Sequence, residues 1–190
     1  NQIDLKRFHP GIDGTRIREK HNLGEAPVIF SLGRIGPQKG FHFLLQSFNL
    51  VRQKCPEVKL VIGGRVDDPF YFKALKKNTN SAVIFTGYIS EEDKPAYYAM
   101  CDIYANCSSW ESFNIPIVEA QSCGKPVVAF NIGPHPEVIN SRGTLVDFGN
   151  IEKFTQVCID KLREVRGNQL KIVKAPQRVG ILFPNLSDQV

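Results

Sequence analysis

From residue 27 onward, short apolar runs alternate with stretches whose apolar residues recur at helical spacing. "PVIFSLGR" (27–34) leads into "FHFLLQSFNLVRQKC" (41–55), "VKLVIGG" (58–64) into "PFYFKALKKN" (69–78), and "AVIFTGY" (82–88) into "EEDKPAYYAM" (91–100). Ser90 stands just before the acids of that third helical stretch and reads as its N-cap. "DIYANCS" (102–108) is followed by a helical "IPIVEAQSCG" (115–124), which Gly124 ends. "PVVAF" (126–130) and "GTLVDF" (143–148) are two more strands, and "IEKFTQVCIDKLREVR" (151–166) is an amphipathic closing helix.

The strand runs are apolar throughout instead of alternating, as expected when both faces of a sheet are covered. Repeated strand–helix units then predict an α/β fold, a Rossmann-like, doubly wound parallel sheet over residues 25–166. Ligands of such sheets bind beyond the carboxyl ends of the strands. "GRIGPQKG" (33–40) and "WESFN" (110–114) both fall at such ends. Residues 1–24 read as a linker with an extended segment and a short helix, and 167–190 as a tail without a clear period.

At 190 residues with 42% hydrophobic content, the chain suits one globular domain with a sizeable core. No apolar run is long enough for a membrane span, and the polar start is not a signal peptide; without Met at position 1, the chain reads as a piece of something longer. Its net charge of +5 suits an anionic partner such as a phosphate or an acidic membrane surface, and equally a solvated surface. No basic stretch interleaved with aromatics points to nucleic acid. The five cysteines form no Cys-x-x-Cys pair and read as buried, reduced thiols of an intracellular protein. The four histidines lack metal-ligand spacing, His135 reads as structural, and Asp67-Asp68 reads as the cap of the helix after it rather than a metal site.

Two clusters carry chemistry. "GRIGPQKG" puts Arg34 and Lys39 in a glycine-bounded turn before a helix, where two cations and free amides can cradle a diphosphate. The same turn could be a plain solvated one. In "WESFNIPIVEA" (110–120), eight residue steps of about 100° would leave Glu111 and Glu119 about 80° apart on a single helix. Pro116 argues instead for Glu111 in a loop and Glu119 in a helix starting near Ile115. A salt-bridged surface helix is the plain alternative. Trp110 could wall the site or cover the sheet end, while Phe41, Phe43 and Phe48 read as core.

The ordered set "GR…KG", "FTGY", "YAMCDIYANCSSWESFNIPIVEAQSCGKPVVAF" and "GPHPEVI" resembles the family 4 retaining glycosyltransferases of the GT-B fold over about residues 1–166. The resemblance implies a C-terminal donor-binding domain acting with an N-terminal acceptor domain. It implies a nucleoside-diphosphate-sugar donor (UDP-, GDP- or ADP-linked), a lipid-linked or glycan acceptor, a cytoplasmic location that includes the membrane face, and no required metal or cofactor. By the same resemblance, Arg34 and Lys39 would hold the diphosphate and Glu111 the donor sugar, these three forming the catalytic set. Glu119 would hold the ribose, and the main chain at Gly33, Phe113, Asn114 and Ile115 would meet phosphate or sugar. The main chain at Tyr88 and Ile89 would meet the base. The chain departs from the family at Asn114, where Gly is usual, at Gln2 in the linker, and at "GPHP" in place of a double-glycine loop. A degenerate nucleotide-binding module and a nucleotide-sugar epimerase are the competing readings.

Overall fold

The structure, a computed structural model, describes residues 3–173. Gln2, and the tail from residue 174 on, lie outside the described residues. Helix α1 (Thr15–Lys20) precedes strand β1 (Val28–Leu32), and α2 (Phe41–Lys54) connects it to β2 (Lys59–Gly63). Then come α3 (Pro69–Lys77), β3 (Val83–Gly87), α4 (Lys94–Met100), β4 (Ile103–Asn106) and α5 (Ile115–Ser122). Strand β5 (Val127–Asn131), the short α6 (His135–Val138), β6 (Gly143–Asp147) and α7 (Ile151–Arg166) complete the order.

The six strands are parallel and ordered β3-β2-β1-β4-β5-β6. Successive strand residues face opposite layers. Ile29, Leu60, Ile62, Ile103 and Val128 pack with buried side chains of α2, α3 and α7 on one face. Phe30, Val61, Tyr104 and Val127 pack with those of α1, α4 and α5 on the other. Both faces are therefore apolar, and the continuous hydrophobic strands follow from that. Phe41 and Phe48 are buried in the first layer, with Phe43 packed against it. All five cysteines are free and buried. Phe8, Ile17 and Leu23 of the lead-in are buried in the second layer.

Two details differ from the sequence reading. Helix α4 starts at Lys94 and not near residue 91, and Ser90 closes a tight turn instead, its hydroxyl accepting the Asp93 amide at 3.1 Å. Proline explains this. Pro95 has no amide to give, so it fits the first helical turn but not the fifth position of a helix begun at residue 91. The other is α6, whose four residues are too few to show a period.

Candidate functional site

The strand order reverses between β1 and β4, so the crevice beyond their carboxyl ends is the natural ligand site of this sheet. The turn after β1 and the loop after β4 meet there. The Ser109 amide donates to the Gln38 carbonyl at 2.9 Å, stitching the two together. Gly40 has φ +62, and a Cβ there would lie 1.8 Å from the Cys107 carbonyl oxygen, so only glycine allows this approach. On the other side, the Gly33 amide donates to the Gly63 carbonyl at 3.0 Å, binding the turn to the end of β2.

Lys39 crosses this seam. Its stem runs over Gly33, where a Cβ would stand 3.4 Å from it, and its ammonium donates to Glu111 Oε1 at 2.7 Å. The same carboxylate oxygen accepts the hydroxyl of buried Ser108 at 2.7 Å, and Asn106 Oδ1 accepts the Ser108 amide at 3.1 Å. Glu111 is thus aimed by the end of β4 itself. Arg34 does not join this pair. It is exposed and faces exposed Asp67 at 3.6 Å, a contact worth little in water. Asp68 beside it caps α3, accepting the Tyr71 amide at 2.9 Å.

Asn114 precedes α5 with φ +67, a left-handed conformation that asparagine tolerates better than most residues. Pro116 lacks an amide and Ile117 donates back to the Asn114 carbonyl, which leaves the Ile115 amide without an acceptor inside the helix. Phe113 is half-buried and Ile115 exposed beside this helix end. Glu119 lies one turn further and is only 4% exposed, which overturns the surface-helix alternative. The buried Tyr98 hydroxyl donates to its Oε2 at 2.6 Å, and the Lys94 ammonium stands 3.7 Å from Oε1. Burial, reinforced by Tyr104 and by the Glu119 carboxylate, pushes the Tyr98 hydroxyl far up, so it stays a donor.

At the end of β3, Tyr88 is exposed and carries the Arg65 guanidinium 4.4 Å above its ring centroid. Ile89 is buried against Gly63, where any Cβ would meet its side chain. Trp110 is 65% exposed and so does not cover the sheet end. His135 is fully buried; its ring nitrogens stand 2.6 Å from the Phe130 carbonyl and 2.8 Å from Asn114 Nδ2. A cavity of about 610 Å³ lined by Leu23, Arg52, Lys59 and Ser81 opens at the amino ends of the strands, away from all these groups.

Sequence reasoning missed Ser108, Tyr98, Lys94 and Arg65. Tyr98, Lys94 and Arg65 are held against their partners by tertiary structure, and only Ser108, three residues before Glu111, left a local trace.

Three comparisons place the chain in a family. The description "Glycosyl transferases group 1" matches residues 13–172. The chain is 33% identical over 176 residues to a GDP-mannose-dependent phosphatidylinositol monomannoside mannosyltransferase of Mycolicibacterium smegmatis, covering 86% of this chain and 46% of that protein. It therefore spans about half the length of such relatives. Anabaena HepE, solved in complex with UDP-glucose, superposes with TM-score 0.76 at 27% identity, over 87% of this chain and 48% of that one. The isolated C-terminal domain of a group 1 glycosyl transferase from Francisella tularensis shares the fold, with TM-score 0.74, 24% identity and coverage of 86% and 92%. This chain belongs to the group 1 glycosyl transferases, and its doubly wound sheet is the C-terminal, Rossmann-like half of their GT-B fold.

Proposed function

We propose that this domain binds the donor of a retaining glycosyltransferase, a nucleoside diphosphate linked to a hexose. The observation that carries the reading is the seam at the strand-order reversal. There Lys39 and Glu111 stand 2.7 Å apart at one end of a left-handed turn, and Glu119 lies one turn into the helix that follows. A diphosphate needs cations and amides, and sugar hydroxyls need carboxylates; this stretch supplies them in that order.

In this reading Lys39 and Arg34 bind the diphosphate and stabilise the charge that develops on it as the sugar–oxygen bond breaks. Arg34 reaches it by leaving Asp67, at little cost for an exposed pair. Glu111 accepts hydrogen bonds from the donor sugar, and Glu119, aimed by Tyr98, from the ribose. The main chain at Gly33, Phe113, Asn114 and Ile115 lines the phosphate path, and Tyr88 and Ile89 border the base. The cationic set does the work of a metal, so no cofactor is required. A second, N-terminal domain supplies the acceptor, a lipid-linked or other glycan, and the enzyme works on the cytoplasmic side of a membrane. The mannosyltransferase relative is GDP-mannose-dependent and the HepE structure holds UDP-glucose, so both bases are candidates.

Calorimetric titration of the chain with UDP, GDP and ADP in EDTA tests this directly. One nucleotide is expected to bind, and Arg34→Ala, Lys39→Ala and Glu119→Ala each to weaken it about tenfold or more. Failure of all three nucleotides to bind, to this chain and to the full-length protein alike, would refute the reading.

A further inference from the structure

Asn114 and the segment "GPHP", which holds His135, are two places where this chain departs from the family it resembles, and the fold brings Asn114 and His135 into contact. Asn114 Nδ2 and His135 Nε2 are 2.8 Å apart, and both residues are buried. The hydrogen-bond chemistry leaves one assignment. The Phe130 carbonyl, 2.6 Å from Nδ1, can only accept, so Nδ1 carries the proton of the neutral ring. Nε2 is then a bare acceptor, and the Asn114 amide must donate to it.

The loop holding His135 touches the site a second time. Gly133 has φ +40, and a Cβ on it would stand 3.3 Å from the Glu111 carbonyl oxygen. The segment after β5 therefore contacts the segment after β4 at Asn114 and passes close to the main chain of Glu111, at the other end of the turn between them.

We propose that His135 is a positioning residue of the donor site: by accepting the Asn114 side chain, it holds the left-handed turn at the mouth of α5 and the loop that carries Glu111. The inference rests on the donor-site reading. Glycine would take this conformation unaided, whereas asparagine takes it at some strain and holds it through its side chain. Losing the acceptor leaves a buried amide unpaired, and the turn is then free to relax into an ordinary conformation.

Protonation disfavours the arrangement, because the amide would have to turn over and present its oxygen to keep the contact. An imidazolium would point an N–H at the Asn114 N–H, two donors face to face. Burial keeps the ring below the usual histidine range, opposed by the Phe130 hydrogen bond. The charged groups facing it are Glu111, which favours the proton, and Lys39, which disfavours it. The ring is therefore neutral at pH 7, and donor affinity falls as pH drops below the ordinary histidine value of 6.5.

The test is a titration cycle with the nucleotide that binds best among UDP, GDP and ADP. His135→Leu is expected to raise Kd about tenfold. The same substitution added to Asn114→Gly is expected to change Kd no further, because glycine makes no use of the acceptor. His135→Gln, whose side-chain oxygen can accept in place of Nε2, is expected to keep most of the affinity and lose the pH dependence. An equal loss from His135→Leu with either residue at position 114 would overturn the proposal and reduce His135 to a core residue.

Should His135→Leu not fold, a second arm leaves the histidine in place. Affinity is followed from pH 8 to pH 5 in the unsubstituted protein and in Asn114→Gly. The nucleotide's own phosphate titrates near pH 6, about equally in both, and cancels in the comparison. A steeper decline in the unsubstituted protein supports the coupling, and parallel profiles overturn it. Nucleotide binding without coupling defeats this proposal alone; no nucleotide binding at any pH defeats the donor-site reading with it.

Discussion

Lys39 and Glu111 hold each other, and that bond shapes how the site can be tested. The ammonium and carboxylate are 2.7 Å apart and mostly buried, and Ser108 fixes the carboxylate from the other side. A diphosphate that takes up Lys39 competes with Glu111 for the same ammonium, while a sugar hydroxyl takes over the carboxylate. The two events offset each other only when nucleotide and sugar arrive on one molecule. Glu111→Gln, which removes the charge but not the shape, is therefore expected to bind the bare nucleoside diphosphate several-fold tighter, on the order of 1 kcal/mol. The intact donor should gain nothing or bind more weakly. Titrating both ligands into both proteins gives the answer. Weaker binding of the bare nucleotide to Glu111→Gln would mean that Glu111 helps hold the diphosphate and does not compete for its lysine.

At the scale of elements, the strands and most helices were legible because both faces of a parallel sheet are buried, which writes uninterrupted apolar runs into the chain. Pro116 marked the start of α5 correctly, whereas Pro95, the shortness of α6 and most partners distant in sequence did not show. Pro95 moved the start of α4 to Lys94, and four residues of α6 were too short to read. Arg34 and Lys39 looked like one cationic cluster because they share a turn, yet the structure turns them to different carboxylates, Asp67 and Glu111. The burial of Glu119 and its Tyr98 partner, and the Asn114–His135 bond, join residues 21 apart in both cases, with no period linking them. Gly40 was legible only as a turn residue. Its tight approach to the Cys107 carbonyl, 1.8 Å from a would-be Cβ, makes it the joint between β1, α2 and the loop after β4. Gly40→Ala is expected to destabilise the fold by about 2–4 kcal/mol, from backbone strain plus displacement of that loop. Gly24 supplies the control: it has φ +52 with nothing within 4 Å, so Gly24→Ala should cost only the strain, about 1 kcal/mol. Urea denaturation of the two variants separates contact from strain, and equal losses would mean the seam yields to the added methyl.

At the scale of the molecule, two of the more buried charge clusters among the described residues, one around Asp102 and one joining Lys39 to Glu111, lie at opposite ends of the sheet, and only the second faces the candidate site. At the amino ends of the strands, buried Asp102 accepts the Val28 amide at 2.7 Å and the Arg166 guanidinium at 2.9 Å, with Arg18 at 3.4 Å. One carboxylate thereby joins the start of β1, the last turn of α7 and helix α1, all of them far from Asp102 in sequence. Arg166 also donates to the carbonyls of Glu25 and Ala26, so α7 is tied to the segment entering β1. Removing the carboxylate leaves two partly buried guanidiniums facing each other and an amide without its acceptor. Asp102→Ala is expected to destabilise the protein by about 3 kcal/mol, lowering Tm by about 10 °C. Arg166→Ala should cost less, because Arg18 and the Val28 amide still meet the carboxylate. Since this clamp and the donor site lie at opposite ends of the strands, nucleotide affinity at 15 °C should be the same in Asp102→Ala as in the unsubstituted protein. Calorimetric melting and titration of a single preparation measure both quantities. A lowered Tm with unchanged affinity assigns Asp102 to holding the fold alone. An affinity that falls in step with stability would show that the crevice is not rigid, and that the clamp and the Lys39–Glu111 seam are two ends of one cooperative unit.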